Sequence, residues 1–316
     1  MKILIFHPVL LPPKDYGGIE RVVLWLSKAL RDHGHQVSVA ALRGSQLPEG
    51  VELVPVEKSN KSASHFFKNN RKYYDVVHFM ATPEDDINKT IESPWLVTIH
   101  GNGKANEHFA DNTLFLSKNH AQRHGRMSYV YNGIDVSEYC FLEQPKSDTM
   151  LFLSKTSWRV KNVKAAIKIA KLSSKKLTIA GGWRPFNEWF NCLFYNIDWI
   201  GPINGDLKMR ILSESAVFLF PVLWDEPFGL AVVEALASGL PVYASDKGSM
   251  PEIITDDVGR LLNPERLDEW VDALADFKKY DRKACRDRVV NHFSHHHMAN
   301  EYLNYYKKAV AGEKWL

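Results

Sequence analysis

Cysteine is scarce in this chain of 316 residues, which also lacks long apolar runs and a large excess of charge. The three cysteines, Cys140, Cys192 and Cys285, are too few and too widely spaced to predict a disulfide framework or a metal knuckle. No apolar run approaches the roughly 18 to 20 residues that cross a bilayer. The run at residues 3–6 meets Pro8 without the cleavage site of a signal peptide. We therefore expect a cytoplasmic protein, with peripheral contact at the inner face of a membrane left open.

Several binding signatures are also missing. The formal net charge of +3 gives no reason to expect a nucleic acid partner, which usually requires a strongly basic domain. The sequence has no Gly-x-Gly-x-x-Gly dinucleotide fingerprint, no P-loop and no Asp-x-Asp metal pair. These absences disfavour an oxidoreductase and predict that neither a metal nor another cofactor is needed.

Short β-branched or aromatic runs alternate with amphipathic segments of helical length, which is typical of parallel α/β sheets. Strands are predicted at residues 3–6, 37–41, 51–56, 76–80, 95–99, 113–116 and 129–131, and again at 150–153, 177–180, 199–200, 217–220 and 242–244. Helices are predicted at residues 19–33, 163–172, 206–214, 229–238, 267–277 and 294–311. A polar segment at 143–148 is interpreted as a linker. We predict one domain at residues 1–144, a second at 145–293, and a C-terminal helix at 294–316 that packs back toward the first.

The segment at residues 224–242 carries the strongest chemical signal. It follows a predicted strand and opens a helix near Phe228 and Gly229, where unpaired backbone amides and the helix dipole favour a phosphate group. Glu226 precedes this helix and Glu234 lies within it, with seven residues between them. A surface glutamate followed by an ordinary amphipathic helix is the alternative interpretation.

This pattern resembles the retaining glycosyltransferases of family 4, whose hallmark is a pair of glutamates at the same spacing. The resemblance implies a GT-B fold of the α/β class, in which two Rossmann-like domains have parallel sheets facing each other across a cleft. By the same resemblance, Glu234 binds the ribose of the donor nucleotide and Glu226 contacts the transferred sugar. The amides of Phe228, Gly229 and Leu230 bind its distal phosphate.

A basic loop at residues 154–162 precedes the helix predicted at 163–172. The family has Gly-Arg and Lys-Gly pairs here, and both cations bind the diphosphate. Lys161 with Asn162 matches the second pair, whereas Lys155 replaces the arginine and cannot supply its forked geometry. The resemblance assigns Lys161 and Lys155 to the leaving group; a solvated basic loop is the alternative.

Other predicted site residues also come from the resemblance. Gly17 and Gly18 follow the first strand, where the family has a glycine pair that faces the donor, although such a pair is often only a turn. His100, after Thr98 and Ile99, corresponds to a family histidine near the reacting sugar, although a histidine at a strand end is often structural. Ile203 ends a segment, residues 200–203, where family members bind the nucleobase.

Two further clusters were considered for binding. Consecutive helical residues point in different directions, so we predict no metal site among four C-terminal histidines, His292, His295, His296 and His297. Residues 58–74 contain five basic residues, no acid and interleaved aromatics. They form either a solvated loop and helix or a surface for anionic membrane.

Taken together, these features predict a retaining, metal-independent hexosyltransferase. It would move a sugar from a nucleoside diphosphate donor, UDP favoured over GDP, to a glycan, a lipid-linked or a small-molecule acceptor. Glycan or glycolipid biosynthesis is the expected setting. Two alternatives stay open: a nucleotide-sugar epimerase of the same fold, and a non-catalytic protein that binds a nucleotide sugar.

Overall fold

A computed structural model describes residues 1–13, 17–57, 62–70, 73–84, 87–104, 107–275 and 279–315. The strands are β1 (Lys2–Phe6), β2 (Gln36–Leu42), β3 (Glu52–Val56), β4 (Val76–Phe79), β5 (Trp95–Thr98), β6 (Thr113–Leu114), β7 (Met150–Leu153), β8 (Leu177–Ala180), β9 (Ile197–Gly201), β10 (Val217–Phe220), β11 (Val242–Ser245) and β12 (Gly259–Leu262). The α-helices are α1 (Gly18–Asp32), α2 (Ala63–Asn69), α3 (Lys118–Arg123), α4 (Val163–Ser173), α5 (Trp189–Phe194), α6 (Gly205–Glu214), α7 (Leu230–Ala237), α8 (Met250–Ile253), α9 (Leu267–Ala273), α10 (Arg282–His292) and α11 (His295–Val310).

The chain divides into two compact units, one of residues 1–134 with 294–316 and one of residues 135–293. Each is built on a six-stranded parallel sheet, ordered β3-β2-β1-β4-β5-β6 in the first and β12-β11-β10-β7-β8-β9 in the second. Read from β9 to β12, the second order matches the first when the strands of each sheet are numbered from its own first strand. In both sheets the order reverses once, beside β1 and β4 in one and beside β7 and β10 in the other. Sheets of this kind bind ligands outside the carboxyl ends of the strands at that reversal.

The sequence explains why these elements form. Strands β1, β7 and β10 are almost wholly buried, because helices connecting parallel strands cover both faces of a sheet. Helix α1 buries Val22, Val23, Leu26 and Leu30 on one face. It ends at Asp32, and Gly34, which follows its cap His33, has a φ of +82° that is readily adopted only by glycine.

The C-terminal helix α11 is part of the first unit and is fixed there by a buried polar network. His78 of β4 hydrogen-bonds the hydroxyl of Tyr306 at 2.9 Å and that of Thr98 at 2.8 Å. The Thr98 hydroxyl in turn lies 3.1 Å from the Tyr302 hydroxyl. Burial lowers the pKa of His78 to about 3, so the imidazole that joins these groups is neutral at ordinary pH.

The units divide ten residues before the predicted boundary at 144/145, because two arginines of α10 hold the intervening segment to the second unit. Arg286 donates to the carbonyls of Val136 and Tyr139, and Arg282 donates to that of Leu142. The predicted linker is also bound there, since the Lys146 amide donates to the Glu214 carbonyl.

Several predicted elements differ from the structure. The strand predicted at 113–116 is shorter, as β6, and the strand predicted at 199–200 is longer, as β9. Residues 129–131 make only an isolated bridge between Tyr129 and Phe115 instead of a strand. The helix predicted at 267–277 is α9, which ends at Ala273, and residues 276–277 lie outside the described part of the chain. No helix within the described ranges is long and apolar enough to cross a membrane.

Candidate active site

The predicted phosphate-binding turn lies after β10, at the reversal of strand order in the second sheet. Helix α7 begins at Leu230, and its cap Gly229 has a φ of +93°, a conformation that disfavours any side chain. The amides of Val232 and Val233 bond to the Gly229 carbonyl, so the preceding amides lie at the open end of the helix. The Phe228 ring is buried against Phe293, which leaves its backbone as the part that could meet a ligand.

A neighbouring loop fixes the backbone of this turn. The Ser249 amide donates to the carbonyl of Glu226 and its hydroxyl to that of Phe228, at 3.0 and 2.6 Å. The Gly248 amide donates to the Asp225 carboxylate at 3.2 Å. A Cβ at Gly248 would overlap the backbone of Glu226, so only glycine permits this approach. The sequence analysis assigned no role to Gly248 or Ser249.

Glu226 and Lys161, both predicted for the site, form an ion pair at 2.5 Å between Oε2 and Nζ. Lys161 ends the short 3-10 helix Arg159–Lys161 beyond β7, and both side chains are close to 90% buried. The indole of Trp224 donates to the same carboxylate oxygen at 2.6 Å, and its ring lies 4.7 Å from the lysine nitrogen. The structure therefore holds a nearly buried ammonium group at the switch point of the sheet.

Glu234 is paired with a second lysine that the sequence analysis missed. Its Oε2 lies 2.6 Å from Nζ of Lys208 on α6, and its Oε1 accepts from the Tyr139 hydroxyl at 2.8 Å. The glutamate side chain is only 2% exposed. A ribose that bound Glu234 would have to share or displace one of these partners. The one available signal for Lys208 was a lysine on the inward side of an otherwise ordinary amphipathic helix.

Lys155, the second predicted phosphate ligand, is exposed and reaches the same neighbourhood through aromatic contacts. Its Nζ lies 4.8 Å from the ring of Trp158, which meets Trp224 edge to face at 6.0 Å. Trp224 is the residue that packs on Lys161. The second unit thus brings together Lys155, Lys161, Glu226 and the start of α7, while Ile203 lies partly exposed between β9 and α6.

The remaining predicted residues, Gly17, Gly18 and His100, lie in the first unit. Gly17 precedes α1, and a Cβ there would come within 2.5 Å of Pro13, so close packing requires glycine. Tyr16, which precedes the pair, is outside the described residues. Burial, followed by the charge of His7, lowers the pKa of His100 to about 3. Among the described residues its Nε2 is buried and has no hydrogen-bond partner, so this nitrogen could bond to a ligand.

One argument about the C-terminal histidines was wrong. The rings of His295 and His296 lie 4.2 Å apart, because adjacent side chains can converge in the first turn of a helix. In the described part of the chain, Asp32 joins them in a group whose potential ligand atoms all lie within 4.8 Å of one another. All three lie in the first unit, outside the site described above.

In residues 58–74, for which a membrane surface was one of two alternatives, the aromatics are mostly core residues. Phe66 and Phe67 of α2 pack against Phe6, and Tyr74 is fully buried, which leaves Tyr73 exposed. The apolar side of this segment therefore faces the sheet. Lys58, Lys61, Arg71 and Lys72 lie outside the described residues.

Several known proteins are similar to this chain. Residues 141–291 match the family described as glycosyl transferases group 1. An uncharacterized glycosyltransferase of Methanocaldococcus jannaschii is 30% identical over 161 residues, which are 47% of this chain and 41% of that protein. The phosphatidyl-myo-inositol mannosyltransferase of Mycolicibacterium smegmatis is 24% identical over 311 residues, covering 82% of this chain and 80% of the relative. The chain spans less than half the length of the first of these two.

Solved structures extend the likeness to the whole chain. AviGT4, a glycosyltransferase involved in avilamycin A biosynthesis, superposes with a TM-score of 0.83 at 21% identity, over 100% of this chain and 99% of that one. HepE of Anabaena, solved in complex with UDP and glucose, gives a TM-score of 0.69 at 15% identity, over 96% and 98%. The chain therefore has the GT-B glycosyltransferase fold, which the resemblance in its sequence predicted and which its two parallel sheets match.

Proposed function

We propose that the protein is a retaining, metal-independent glycosyltransferase that uses a nucleoside diphosphate sugar. One observation carries the proposal: Glu226 lies just before α7 and Glu234 lies within it, and each is paired with a buried lysine. The matching of residues 141–291 to glycosyl transferases group 1 supports it independently. The acceptor is a glycan, a lipid-linked saccharide or a small molecule, and a cytoplasmic location stays a prediction.

Lys161 is the group best placed to bind the donor's diphosphate. Taking an ammonium group out of water is costly unless an anion lies beside it, and Glu226 supplies that anion in the ligand-free protein. When the sugar–phosphate bond lengthens, negative charge grows on the leaving oxygen. A fixed cation in a poorly solvated site stabilises that charge far more than a hydrated one would. Lys155 and the α7 amides add to the same effect.

The proposed step breaks the bond between the anomeric carbon and the phosphate oxygen through an oxocarbenium-like transition state. The acceptor oxygen bonds to the same face of the sugar, and its proton passes to the departing phosphate oxygen. This route needs no covalent nucleophile on the protein. Glu226 would hold sugar hydroxyls, and a neutral His100 could hydrogen-bond the sugar without carrying charge.

UDP is the favoured nucleotide because HepE, whose fold this chain shares, was solved in complex with UDP and glucose. Glu234 would bind the ribose by exchanging its bond to Tyr139 or Lys208 for one to a hydroxyl. Gly17, Gly18 and Ile203 stay predictions as donor contacts.

The test is release of free nucleotide from UDP-, GDP- and ADP-sugars with a panel of saccharide and lipid-linked acceptors, followed by NMR of the product's anomeric configuration. We expect acceptor-dependent release with retention, and a loss of at least about a hundredfold in Lys161→Ala. Lys176→Met, which removes an exposed cation of the same unit, is the control and should keep full activity. Isomerised donor without an acceptor would instead establish an epimerase, and tight binding without turnover a non-catalytic binding protein.

A further inference from the structure

The second unit exposes a dense aromatic surface that the proposed reaction does not use. Between residues 183 and 195, seven large apolar side chains are exposed: Trp183, Phe186, Trp189, Phe190, Leu193, Phe194 and Tyr195. Phe186 is 96% exposed and Trp183 81%. Exposed apolar residues are normal when scattered singly, but a contiguous group of this size marks an interaction surface. We call residues 183–195 the aromatic surface.

The helix within this surface is oriented so that its apolar side faces away from the protein. Trp189, Phe190, Leu193 and Phe194 occupy one face of α5, and none of the residues of α5 is buried. Cys192, on the other side, is partly buried against the core of the unit. The contact of Cys192 with the core fixes the orientation of α5, so its apolar face points outward in the folded protein.

A stripe of lysines lies beside the aromatic surface. Lys164, Lys168 and Lys171 recur at spacings of four and three residues and so share one side of α4, and Lys175 follows the end of the helix. The Lys171 ammonium group lies 4.2 Å from the ring of Tyr195 and joins the stripe to the aromatic surface. Helix α4 connects β7 to β8, and α5 connects β8 to β9, which lie in that order in the sheet. Because such connections are right-handed, both helices lie on the same face of the sheet.

The charge of this part of the chain is strongly one-sided. From residue 149 to residue 187 the sequence has nine lysines and arginines and no aspartate or glutamate, whereas the whole chain has a net charge of only +3. Trp, Phe and Leu on one side with lysines along the border is the composition of helices that lie in the interface of an anionic bilayer. The surface also carries Arg184, Glu188 and Asn191. An acidic partner protein would match the lysines but would not account for so large an exposed aromatic area.

We propose that the aromatic surface and the lysine stripe of α4 form a monotopic membrane-binding site for anionic lipid. Phe186, Phe190, Leu193 and Phe194 insert among the acyl chains near the headgroups, and the lysines contact lipid phosphates. The site lies in the second unit, not at residues 58–74, where Phe66, Phe67 and Tyr74 are buried. Its binding to lipid does not depend on the transfer activity.

Sedimentation with vesicles tests the proposal on the full chain. Vesicles of phosphatidylcholine alone are compared with vesicles that also contain about a third phosphatidylglycerol. We expect binding to the anionic vesicles at least about tenfold stronger. It should weaken when salt rises from about 0.1 M to about 1 M, because the Debye length falls from about 10 Å to about 3 Å.

Two variants separate the apolar and the charged parts. Phe186→Ser with Phe190→Ser should weaken binding by about tenfold or more through lost apolar burial, and Lys164→Gln with Lys168→Gln should weaken it by about tenfold. Met127→Ser, which changes an apolar residue of the first unit that is about as exposed as Phe190, is the matched control and should bind as the unchanged protein does. Because all the substituted side chains are exposed, we expect each variant to fold, and thermal unfolding checks this.

Three results would overturn the proposal. One is an unchanged protein that binds neither kind of vesicle, and another is aromatic variants that bind as tightly as the unchanged protein. The third is a dimer in solution that Phe190→Ser dissociates while no vesicle binding occurs. That last result would assign the aromatic surface to contact between copies of the chain.

Discussion

Replacing Lys208 by methionine tests how the structure holds Glu234. The substitution keeps the length and apolar stem of the side chain but removes the ammonium group that lies 2.6 Å from the carboxylate. Glu234 is 2% exposed and would lose this ion pair while it keeps its hydrogen bond from the Tyr139 hydroxyl. Removing one partner of a buried ion pair typically costs about 3–5 kcal/mol, because the other charge stays buried without compensation. We expect Lys208→Met to lose that much free energy of unfolding.

A double-mutant cycle isolates the pair from the loss of packing. Glu234→Gln in the Lys208→Met background removes the uncompensated charge, so the double variant should be more stable than the sum of the single changes by about 2 kcal/mol or more. Urea unfolding gives the energies, and hydrogen exchange in α7 shows that the second unit is the part that changes. The assay needs no substrate.

An exposed ion pair in the same unit provides the control. Lys176 and Asp198 approach to 2.7 Å but are about half exposed, so Lys176→Met should cost less than about 1 kcal/mol. Equal costs for Lys208→Met and Lys176→Met, or additive effects in the cycle, would refute the conclusion that Glu234 is a buried, paired carboxylate.

Three further predictions concern the rest of the molecule. Burial lowers the pKa of His78 to about 3, so between pH 6.5 and pH 3 the unfolded state alone takes up its proton; His78 should contribute about 2 kcal/mol to the loss of stability at pH 5, beside other buried histidines such as His100, and His78→Gln should remove that share in urea unfolding. Gly248→Ala should lower the melting temperature well beyond Gly34→Ala, since both have positive φ but only Gly248 lies against backbone, that of Glu226; equal shifts would contradict this. Adding EDTA should leave nucleotide release unchanged, and lost activity restored by a divalent ion would contradict metal independence.

The α/β architecture could be predicted because parallel strands are buried on both faces and so appear as continuous apolar runs. Strands β7, β8 and β10 were predicted with the bounds that the structure has. Helix α10 was not predicted, because its sequence lacks a clear apolar pattern. Its first residue, Arg282, is buried and donates to the carbonyls of Leu142, Ser213, Ser215 and Ser238. A helix held by arginine–carbonyl bonds shows no apolar period in its sequence.

The candidate site was predictable at the level of motifs but not of partners. Glu226 and Lys161 are separated by more than sixty positions in the sequence, and only the switch point between β7 and β10 brings them together. Lys208 and Tyr139 could not be inferred, because nothing local to either residue shows that it faces Glu234. Helix α5 was missed because its apolar residues face outward, which breaks the assumption that an apolar side marks the core.

Calorimetric titration with UDP, GDP and ADP tests the central claim most directly, since the proposed function requires a nucleotide site beside Lys161. We expect one nucleotide, UDP first, to bind, and Lys161→Ala to weaken that binding at least about tenfold while Lys176→Met leaves it unchanged. Failure of the folded, unchanged protein to bind any of the three nucleotides would contradict the account. So would binding that Lys161→Ala does not alter.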